Sequence, residues 1–294
     1  MFKKALYLLV CLAFAGCQTT SSSETEKVEE EEMLNSSTPE RIVSLNGTLT
    51  EIVVELGLEE QLVGVDITST YPESISELPK VGHTRSLQAE GILSLNPTMV
   101  IAKKDEIKPE LQQQLEGAGI KIQLFEQKYS VEGTKELITE IGKAFDKHEQ
   151  AIIAISNLTT DLESIPSLEK KPKVLFIYAR GAGTLMVAGT DTQMHNFIYM
   201  AGAENAVTDF KDFKPLTPEA LLQANPDAIL LFSSGLESLE GTEGLMQIPG
   251  ISETNAGKNK KFIAMDGALI SGFGPRLGQG LKQMVEALQE NKEV

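Results

Sequence analysis

An internal repeat limits the folds that this chain can adopt. Seven positions recur at a single offset of 129 residues, and each copy predicts the same unit, a helix followed by a buried strand. Because the residue before a proline disfavours the helical region, the Asn-Pro pair in each copy predicts the end of the helix. One repeat of this length indicates two similar lobes. The first copy is Leu87, Glu90, Leu93, Asn96, Pro97, Val100 and Ile101, and the second is Leu216, Glu219, Leu222, Asn225, Pro226, Ile229 and Leu230.

Short apolar strands alternate with helices in both halves of the chain. This alternation is typical of an α/β fold with parallel sheets. We therefore expect two Rossmann-like lobes with a ligand cleft between them, since clefts at domain interfaces are preferred ligand sites. The predicted strands are 42–45, 63–65, 99–102, 174–178 and 228–232, and the predicted helices are 49–56, 89–95 and 194–200.

The segment between the two halves lacks any strand pattern. Residues 131–162 contain no proline, and their apolar spacing predicts one continuous helix about 45 Å long, at about 1.5 Å per residue. One long helix is thus expected to join the lobes. The expected boundaries are 41–130 for the N-terminal lobe, 131–165 for the linking helix and 166–294 for the C-terminal lobe.

The N-terminus predicts export and a tether. Two lysines precede an apolar run over 5–15, shorter than the about 20 residues of a membrane span, which predicts a signal peptide over 1–16. Residues 14–17, Phe-Ala-Gly-Cys, resemble the lipobox of bacterial lipoproteins, which implies a lipid anchor on Cys17 at the periplasmic or cell-surface side of the membrane. An ordinary signal peptide with a chance cysteine is the alternative. The Ser-, Thr- and Glu-rich residues 17–40 predict an acidic, disordered tether.

Composition excludes several classes of function. The formal net charge of -16 disfavours nucleic acid and anionic membrane surfaces as partners. Both cysteines, Cys11 and Cys17, precede the globular part, so a disulfide, a thiolate metal site or a cysteine nucleophile is not expected there. The sequence also lacks a P-loop and a Gly-x-Ser-x-Gly elbow. We therefore predict a protein that is not an enzyme; a lid-type enzyme and a purely structural surface lipoprotein are the alternatives.

Several short motifs follow the predicted strand over 63–65 or lie near the C-terminus: Thr68-Ser69-Thr70-Tyr71-Pro72, Leu78-Pro79, Val81-Gly82, Arg85, Leu87, Ala89-Glu90-Gly91 and Gly272-Phe273-Gly274-Pro275-Arg276. With these motifs, the chain from Arg41 to its C-terminus resembles the helix-linked (class III) periplasmic binding proteins, which deliver cobalamin, ferric siderophores and haem to ABC importers. Within that class it resembles the haem-binding members. The resemblance implies a carrier, expected to be a monomer, that binds ferric haem (hemin) and delivers it to a permease dimer.

The resemblance implies that Tyr71 is the axial ligand of the haem iron. A ferric ion is a strong local positive charge that favours a deprotonated phenol, and tyrosine is a known axial ligand of haem. Tyr71 follows a predicted strand, and parallel sheets bind ligands beyond the carboxyl ends of their strands. The alternative is a loop tyrosine that packs against its own lobe.

Other polar residues are candidate haem contacts. Arg276, Arg85 and Arg180 are expected to face the cleft, where arginine can bind a propionate through charge-assisted hydrogen bonds. Arg276 is the first choice, and the alternative role for Arg85 is a hydrogen bond that holds the phenolate of Tyr71 charged. His195 is a possible second iron ligand, with a polar residue at a helix start as the alternative.

Glu90 and Glu219 are equivalent positions of the repeat, so we expect them on the same face of the two lobes. The resemblance implies that they contact arginines of the permease dimer. The alternative is that each carboxylate only interacts favourably with the first turn of its own helix. A rigid link between the lobes also predicts limited closure, so that ligand release depends on the permease pulling the lobes apart.

The same fold with another ligand is the main competing interpretation. Cobalamin favours aromatic walls, and the chain contains no tryptophan and 5 tyrosines. A ferric siderophore, being anionic, favours more cleft arginines than three. Haem needs one iron ligand, a few cations and apolar walls. One haem and two stacked haems in the cleft are both left as alternatives. The candidate wall residues, each of which could instead belong to the core, are Phe125, Met186, Phe210, Phe213 and Phe273.

Overall fold

The computed structural model describes residues 40–83 and 86–290. This range forms two α/β lobes, which confirms the predicted fold class. The signal peptide, the lipid-anchor position Cys17 and Arg85 lie outside the described residues. Of the helices in the described ranges, none is both long enough and apolar enough to cross a membrane.

The first lobe contains a parallel sheet whose strands are ordered β2-β1-β3-β4. Asn46 caps the first helix by accepting hydrogen bonds from the backbone N–H groups of Thr48 and Leu49. The sequence predictions missed one helix and one strand, α3 and β4. The elements are β1 (Ile42–Ser44), α1 (Gly47–Glu55), β2 (Leu62–Val65), α2 (Ala89–Leu93), β3 (Met99–Lys103), α3 (Pro109–Gly117) and β4 (Lys121–Phe125).

Two helices, α4 (Val131–Ala144) and α5 (His148–Glu163), connect the lobes. The prediction of one continuous helix is therefore wrong. The chain turns at Asp146, whose φ of 53° is left-handed and which interrupts the helix without a glycine or a proline. The two helices pack closely, because a Cβ placed on Gly142 would lie 2.6 Å from the Cβ of Ala151.

The second lobe contains a mixed sheet, in the order β10-β9-β5-β6-β8, with β7 beside the start of β5. The prediction of parallel sheets holds only for β10, β9, β5 and β7, because β6 runs antiparallel to both β5 and β8. Gly181, with a φ of 65°, lies in the turn that reverses the chain. The elements are β5 (Lys173–Ala179), β6 (Leu185–Ala188), α6 (Gln193–Met200), β7 (Glu204–Asn205), β8 (Phe213–Pro215), α7 (Pro218–Ala224), β9 (Ala228–Phe232), α8 (Ser233–Ser238), α9 (Gly241–Met246), α10 (Asn255–Lys258), β10 (Phe262–Met265), α11 (Gly267–Ser271) and α12 (Leu277–Gln289).

The internal repeat is preserved in the structure. Strands β3 and β9 begin and end at positions related by the sequence offset. Helices α2 and α7 are each followed by a left-handed asparagine, Asn96 with φ 48° and Asn225 with φ 39°. Asparagine enters this region more easily than most residues. The predicted unit of helix, Asn-Pro and buried strand is thus confirmed in both lobes.

One apolar core cluster extends through both lobes and the two linking helices. It contains Ile52 and Ile101 of the first lobe, Leu137 of α4, Leu158 of α5 and Phe176 of the second lobe, all of them buried. Separate clusters cover the outer face of each sheet. Because the lobes share a core, large changes in their relative position would expose buried apolar surface, which is unfavourable.

Helix α12 crosses α5 at Gly278, which provides a test of this packing. A Cβ on Gly278 would lie 2.5 Å from the Cβ of Asp161 and 3.1 Å from the backbone nitrogen of Leu162. We expect Gly278→Ala to lower the free energy of unfolding by about 1–3 kcal/mol, because the helices must separate. Gly91→Ala in α2, with no atom within 4 Å, is expected to raise it by about 0.5–1 kcal/mol. Urea denaturation measures both; equal effects would contradict the close crossing.

Candidate ligand site between the lobes

Tyr71 lies on the loop after β2, as predicted, at the carboxyl edge of the first sheet. Its side chain is 44% exposed. Its hydroxyl forms no hydrogen bond with the part of the chain that the structure describes. The phenol is therefore accessible to a ligand.

A buried polar network fixes the start of this loop. The carboxylate of Asp66, which is fully buried, accepts hydrogen bonds from Ser69 Oγ at 2.7 Å and Thr68 Oγ1 at 2.6 Å. Thr50 Oγ1 of α1 lies 2.8 Å from Ser69 Oγ and donates to Ser44 Oγ of β1 at 2.8 Å. Hydrogen bonds to a charged group are stronger than neutral ones. The network therefore ties the loop to both β1 and α1.

Lys80 holds the other side of the Tyr71 loop. Its ammonium group donates to the carbonyl oxygens of Ser69 at 3.1 Å and Ile75 at 3.3 Å. These carbonyls flank Tyr71 in sequence. The loop backbone is thus held on both sides of the exposed phenol.

Arg276, another predicted site residue, lies against Tyr71 in the structure. Its guanidinium carbon lies 3.4 Å from the centroid of the Tyr71 ring, within the range of a cation–π contact. Its Nη2 donates to Glu51 Oε2 at 2.7 Å, and its side chain is 16% exposed. Since Arg276 is paired with Glu51 and lies against the Tyr71 ring, the contacts favour support of Tyr71 over direct binding of a propionate.

The segment that carries Arg276 is anchored to the first lobe and to α4. Thr48 Oγ1 and Gln127 Nε2 both donate to the carbonyl oxygen of Gly272, and Thr134 Oγ1 donates to that of Phe273 at 3.0 Å. The Phe273 ring packs edge-on against Tyr129, with 5.3 Å between the centroids. Phe273 is fully buried, so its predicted role in the cleft wall is wrong.

The second lobe presents an aromatic surface near the carboxyl ends of β5 and β9. Tyr178 and Met186 are cross-strand partners and half-buried, and the Tyr178 ring meets that of Phe232 edge-on at 6.2 Å. Arg180 follows β5 and is exposed. Of these, sequence reasoning missed Tyr178 and Phe232, although strand alternation places Phe176 and Tyr178 on one face.

The remaining predicted wall residues lie in different surroundings. Phe125 is 2% exposed and belongs to the core, so its assignment to the wall is wrong. Phe213 of β8 is 37% exposed. Phe210 is half-buried and lies under the ammonium group of Lys214, 4.6 Å from the ring centroid. These two residues lie around the hairpin edge of the second sheet.

His195 is near the start of α6 and contacts β7. Its Nδ1 lies 3.3 Å from Nδ2 of Asn205, and its backbone N–H is capped by Thr192 Oγ1 at 3.1 Å. Strand β7 pairs with the first residues of β5, whereas Arg180 follows the last. His195 is therefore held toward the opposite end of the strand from the aromatic surface, which does not favour a role as iron ligand.

A small polar cavity of about 180 Å³ lies between the lobes, next to the carboxyl ends of β1, β3 and β4. The ammonium group of Lys103, which is 3% exposed, donates to Glu106 at 2.8 Å and to the Tyr129 hydroxyl at 3.1 Å. Burial lowers the pKa of Lys103, but the charge of Glu106 and its hydrogen bond to Lys103 raise it. The pKa of Lys103 therefore lies above its usual value. The cavity is smaller than the roughly 300–1,000 Å³ of pockets for drug-sized ligands. A large ligand must therefore extend outside it, and the accessible phenol of Tyr71 is where we expect it.

Glu90 and Glu219 are both exposed, in the first turns of α2 and α7. Their helices occupy equivalent positions in the repeat. Each lobe thus presents one accessible carboxylate from the same structural unit.

Comparisons with known proteins agree with this architecture. The family described as periplasmic binding protein matches residues 42–269. The chain is 27% identical to the uncharacterized ABC transporter substrate-binding lipoprotein YvrC of Bacillus subtilis (strain 168), over 97% of this chain and 95% of that protein. It is 24% identical to the vitamin B12-binding protein of Vibrio vulnificus (strain CMCP6), over 84% and 89% of the two chains.

Solved structures of two haem-binding proteins are also similar to the chain. The periplasmic heme-binding protein RhuT from Roseiflexus sp. RS-1, in apo form, is 38% identical with a TM-score of 0.81 and covers 85% of this chain and 98% of that one. The periplasmic heme-binding protein BhuT, in complex with two hemes, is 34% identical with a TM-score of 0.80, over 85% and 97% of the two chains.

Proposed function

The chain belongs to the periplasmic binding protein family, the substrate-binding proteins of ABC transporters, and from this we propose that it captures ferric haem outside the cytoplasmic membrane and delivers it to an importer. It is a transport protein and not an enzyme. The observation that carries the haem assignment is the accessible Tyr71 phenol with Arg276 against its ring.

Iron coordination by Tyr71 suits ferric haem. A phenolate is a hard, anionic oxygen ligand for a ferric ion and is one of the axial ligands that proteins use for haem. Binding creates negative charge on the phenolate, and the guanidinium of Arg276 lies 3.4 Å from the ring centroid, where it attracts that charge. The buried network at Asp66 keeps the loop in place. Fixed geometry lowers the entropic cost of binding.

The second lobe supplies complementary contacts for the rest of the haem. Tyr178, Met186 and Phe232 form an aromatic and thioether surface for the apolar macrocycle. Arg180 is exposed at the end of β5 and, unlike Arg276, has no carboxylate partner among the described residues, so it is available to a propionate. Arg85 remains a second candidate from the sequence. His195 remains an alternative ligand, with its position beside Asn205 against it.

The N-terminal part of the proposal concerns location. A signal peptide over 1–16, a lipid on Cys17 and a tether over 17–40 would keep the carrier beside its importer. The similarity to YvrC, which is named a lipoprotein, supports this assignment. We further propose that the carrier is a monomer and that Glu90 and Glu219 dock on the permease dimer.

Cobalamin is the second candidate ligand, because a vitamin B12-binding protein is among the relatives. The two ligands place different demands on Tyr71. Haem iron needs a strong axial ligand from the protein. The contacts of Tyr71 with Arg276 suit such a ligand, which is why we favour haem over cobalamin and over a ferric siderophore.

An absorption titration tests the proposed ligand. The protein is titrated separately with ferric haem, cyanocobalamin and a ferric siderophore at matched concentrations. We expect a saturable change in the Soret band with haem, reached at one or two equivalents, and no saturable change with the other two. Saturable binding of cobalamin without binding of haem would overturn the haem assignment and leave the transport family unaffected.

A further inference from the structure

Glu51 of α1 joins the first lobe to Arg276 of the second lobe through a buried ion pair. We propose that Glu51 is a positioning residue that, through Arg276, couples the strength of ligand binding at Tyr71 to the contact between the lobes. This inference rests on the proposed role of Tyr71 as iron ligand.

The Glu51 carboxylate binds two parts of Arg276. Its Oε2 accepts from Arg276 Nη2 at 2.7 Å, and its Oε1 accepts from the backbone N–H of Arg276 at 3.3 Å. A Cβ on Gly274 would lie 3.3 Å from Glu51 Oε1, so the loop backbone passes close beside the carboxylate. Glu51 is 7% exposed. Both the backbone and the side chain of Arg276 are therefore held by one residue of the other lobe.

The Arg276 side chain depends on Glu51 as its ionic partner. Its Nε is buried without a hydrogen-bond partner in the described part of the chain. The guanidinium carbon also lies 3.4 Å from the centroid of the Tyr71 ring. A buried arginine that loses its carboxylate partner is unfavourable. If the lobes separate at this point, Arg276 leaves both Glu51 and Tyr71 together.

The same face of α1 holds the segment that carries Arg276 at a second point. Thr48, which lies one helical turn before Glu51, donates from Oγ1 to the carbonyl oxygen of Gly272 at 2.8 Å. Helix α1 therefore contacts the Arg276 segment through two side chains. The lobe contact and the support of Tyr71 are parts of one structure, rather than separate sites.

Coupling of this kind is reciprocal. A ligand that makes Tyr71 anionic strengthens its attraction to Arg276 and so strengthens the lobe contact. A permease that draws the lobes apart removes the cation from the phenolate and so destabilises the anionic, iron-bound form of Tyr71. Release would then need only a small separation at this contact, which is consistent with the core that the lobes share.

The rate of haem dissociation tests the inference. Holoprotein is mixed with an excess of a haem acceptor, and loss of haem is followed by absorption. We expect Glu51→Gln to release haem about tenfold faster or more, since a hydrogen bond to a charged group is worth about one such factor. Glu55→Gln, on the exposed side of the same helix, is the matched control and should release haem at the unmodified rate.

A double variant separates positioning from simple structural support. Glu51→Gln combined with Arg276→Gln leaves neither buried charge unpaired, so its unfolding midpoint should recover relative to either single variant. Haem release should stay fast, because the cation at Tyr71 is gone. Recovery of slow release in the double variant would overturn the inference.

Failure of the inference differs from failure of the proposed function. If unmodified protein does not bind haem through Tyr71, the proposed function is wrong. If it does, and Glu51→Gln releases haem at the same rate as Glu55→Gln, the coupling through Glu51 is wrong and the function stands.

Discussion

Tyr71→Phe is expected to raise the Kd for ferric haem by about 100-fold or more, because loss of a direct ligand exceeds the about 10–100-fold effect of losing an outer partner. Phenylalanine keeps the ring that lies 3.4 Å from the Arg276 guanidinium and removes only the hydroxyl. The loss of binding can therefore be attributed to the oxygen. Absorption titration gives the Kd, and the charge-transfer band of tyrosinate ligation should disappear with it.

Tyr199→Phe is the matched control for this experiment. Tyr199 lies in α6 and is 72% exposed, so it is at least as accessible as Tyr71. The control variant should bind haem with an unchanged Kd and spectrum. If Tyr71→Phe retained the spectrum of the unmodified protein, iron would be bound elsewhere, and His195 or Tyr178 would have to be considered.

Reversing the charges of Glu90 and Glu219 together is expected to reduce importer-dependent haem uptake more than tenfold. Placing like charges across an interface costs several kcal/mol, and about 1.4 kcal/mol corresponds to a factor of ten. Both residues are exposed, in equivalent helices of the two lobes. The double variant Glu90→Lys/Glu219→Lys should lose uptake, whereas each single variant should lose less, because one contact remains.

Haem binding by the docking variants should not change, since both residues are exposed in the repeat helices α2 and α7 and belong neither to the Tyr71 loop nor to the Arg276 segment. Glu60→Lys/Glu163→Lys makes the same change in net charge at two exposed positions outside the repeat and is the control. Equal loss of uptake in the control would show that net charge, and not docking at the repeat helices, is responsible. Unchanged uptake in the docking variant would also contradict the proposed interface.

The elements of the fold that depend on short-range sequence signals were predicted correctly. The repeat placed α2, β3, α7 and β9 because its Asn-Pro pairs and apolar strands are short-range features. The break between α4 and α5 escaped prediction because Asp146 turns the chain without glycine or proline, while apolar spacing continues on both sides. Strand β8, with three exposed residues, has no apolar pattern and is defined only by pairing with β6.

The candidate site residues that sequence alone could predict are those that belong to a recognisable motif. Tyr71 and Arg276 belong to such motifs, and the structure brings them together from segments far apart in sequence. Glu51 escaped notice because a glutamate within a helix is usually solvated, and its partner is 225 residues away. Lys103 at the end of β3 differs, because its ion-pair partner Glu106 is three residues away and only its contact with the Tyr129 hydroxyl is distant in sequence. Long-range pairing of charges is not encoded in any local pattern.

The position of the iron in the haem complex shows which residue binds it. Crystals of the protein with ferric haem, measured at wavelengths around the iron absorption edge, locate the metal by its anomalous scattering. We expect an iron peak bonded to the phenolic oxygen of Tyr71, with the Arg276 guanidinium on the face of the Tyr71 ring. An iron peak bonded to His195 or to another residue, with Tyr71 free, would contradict the account.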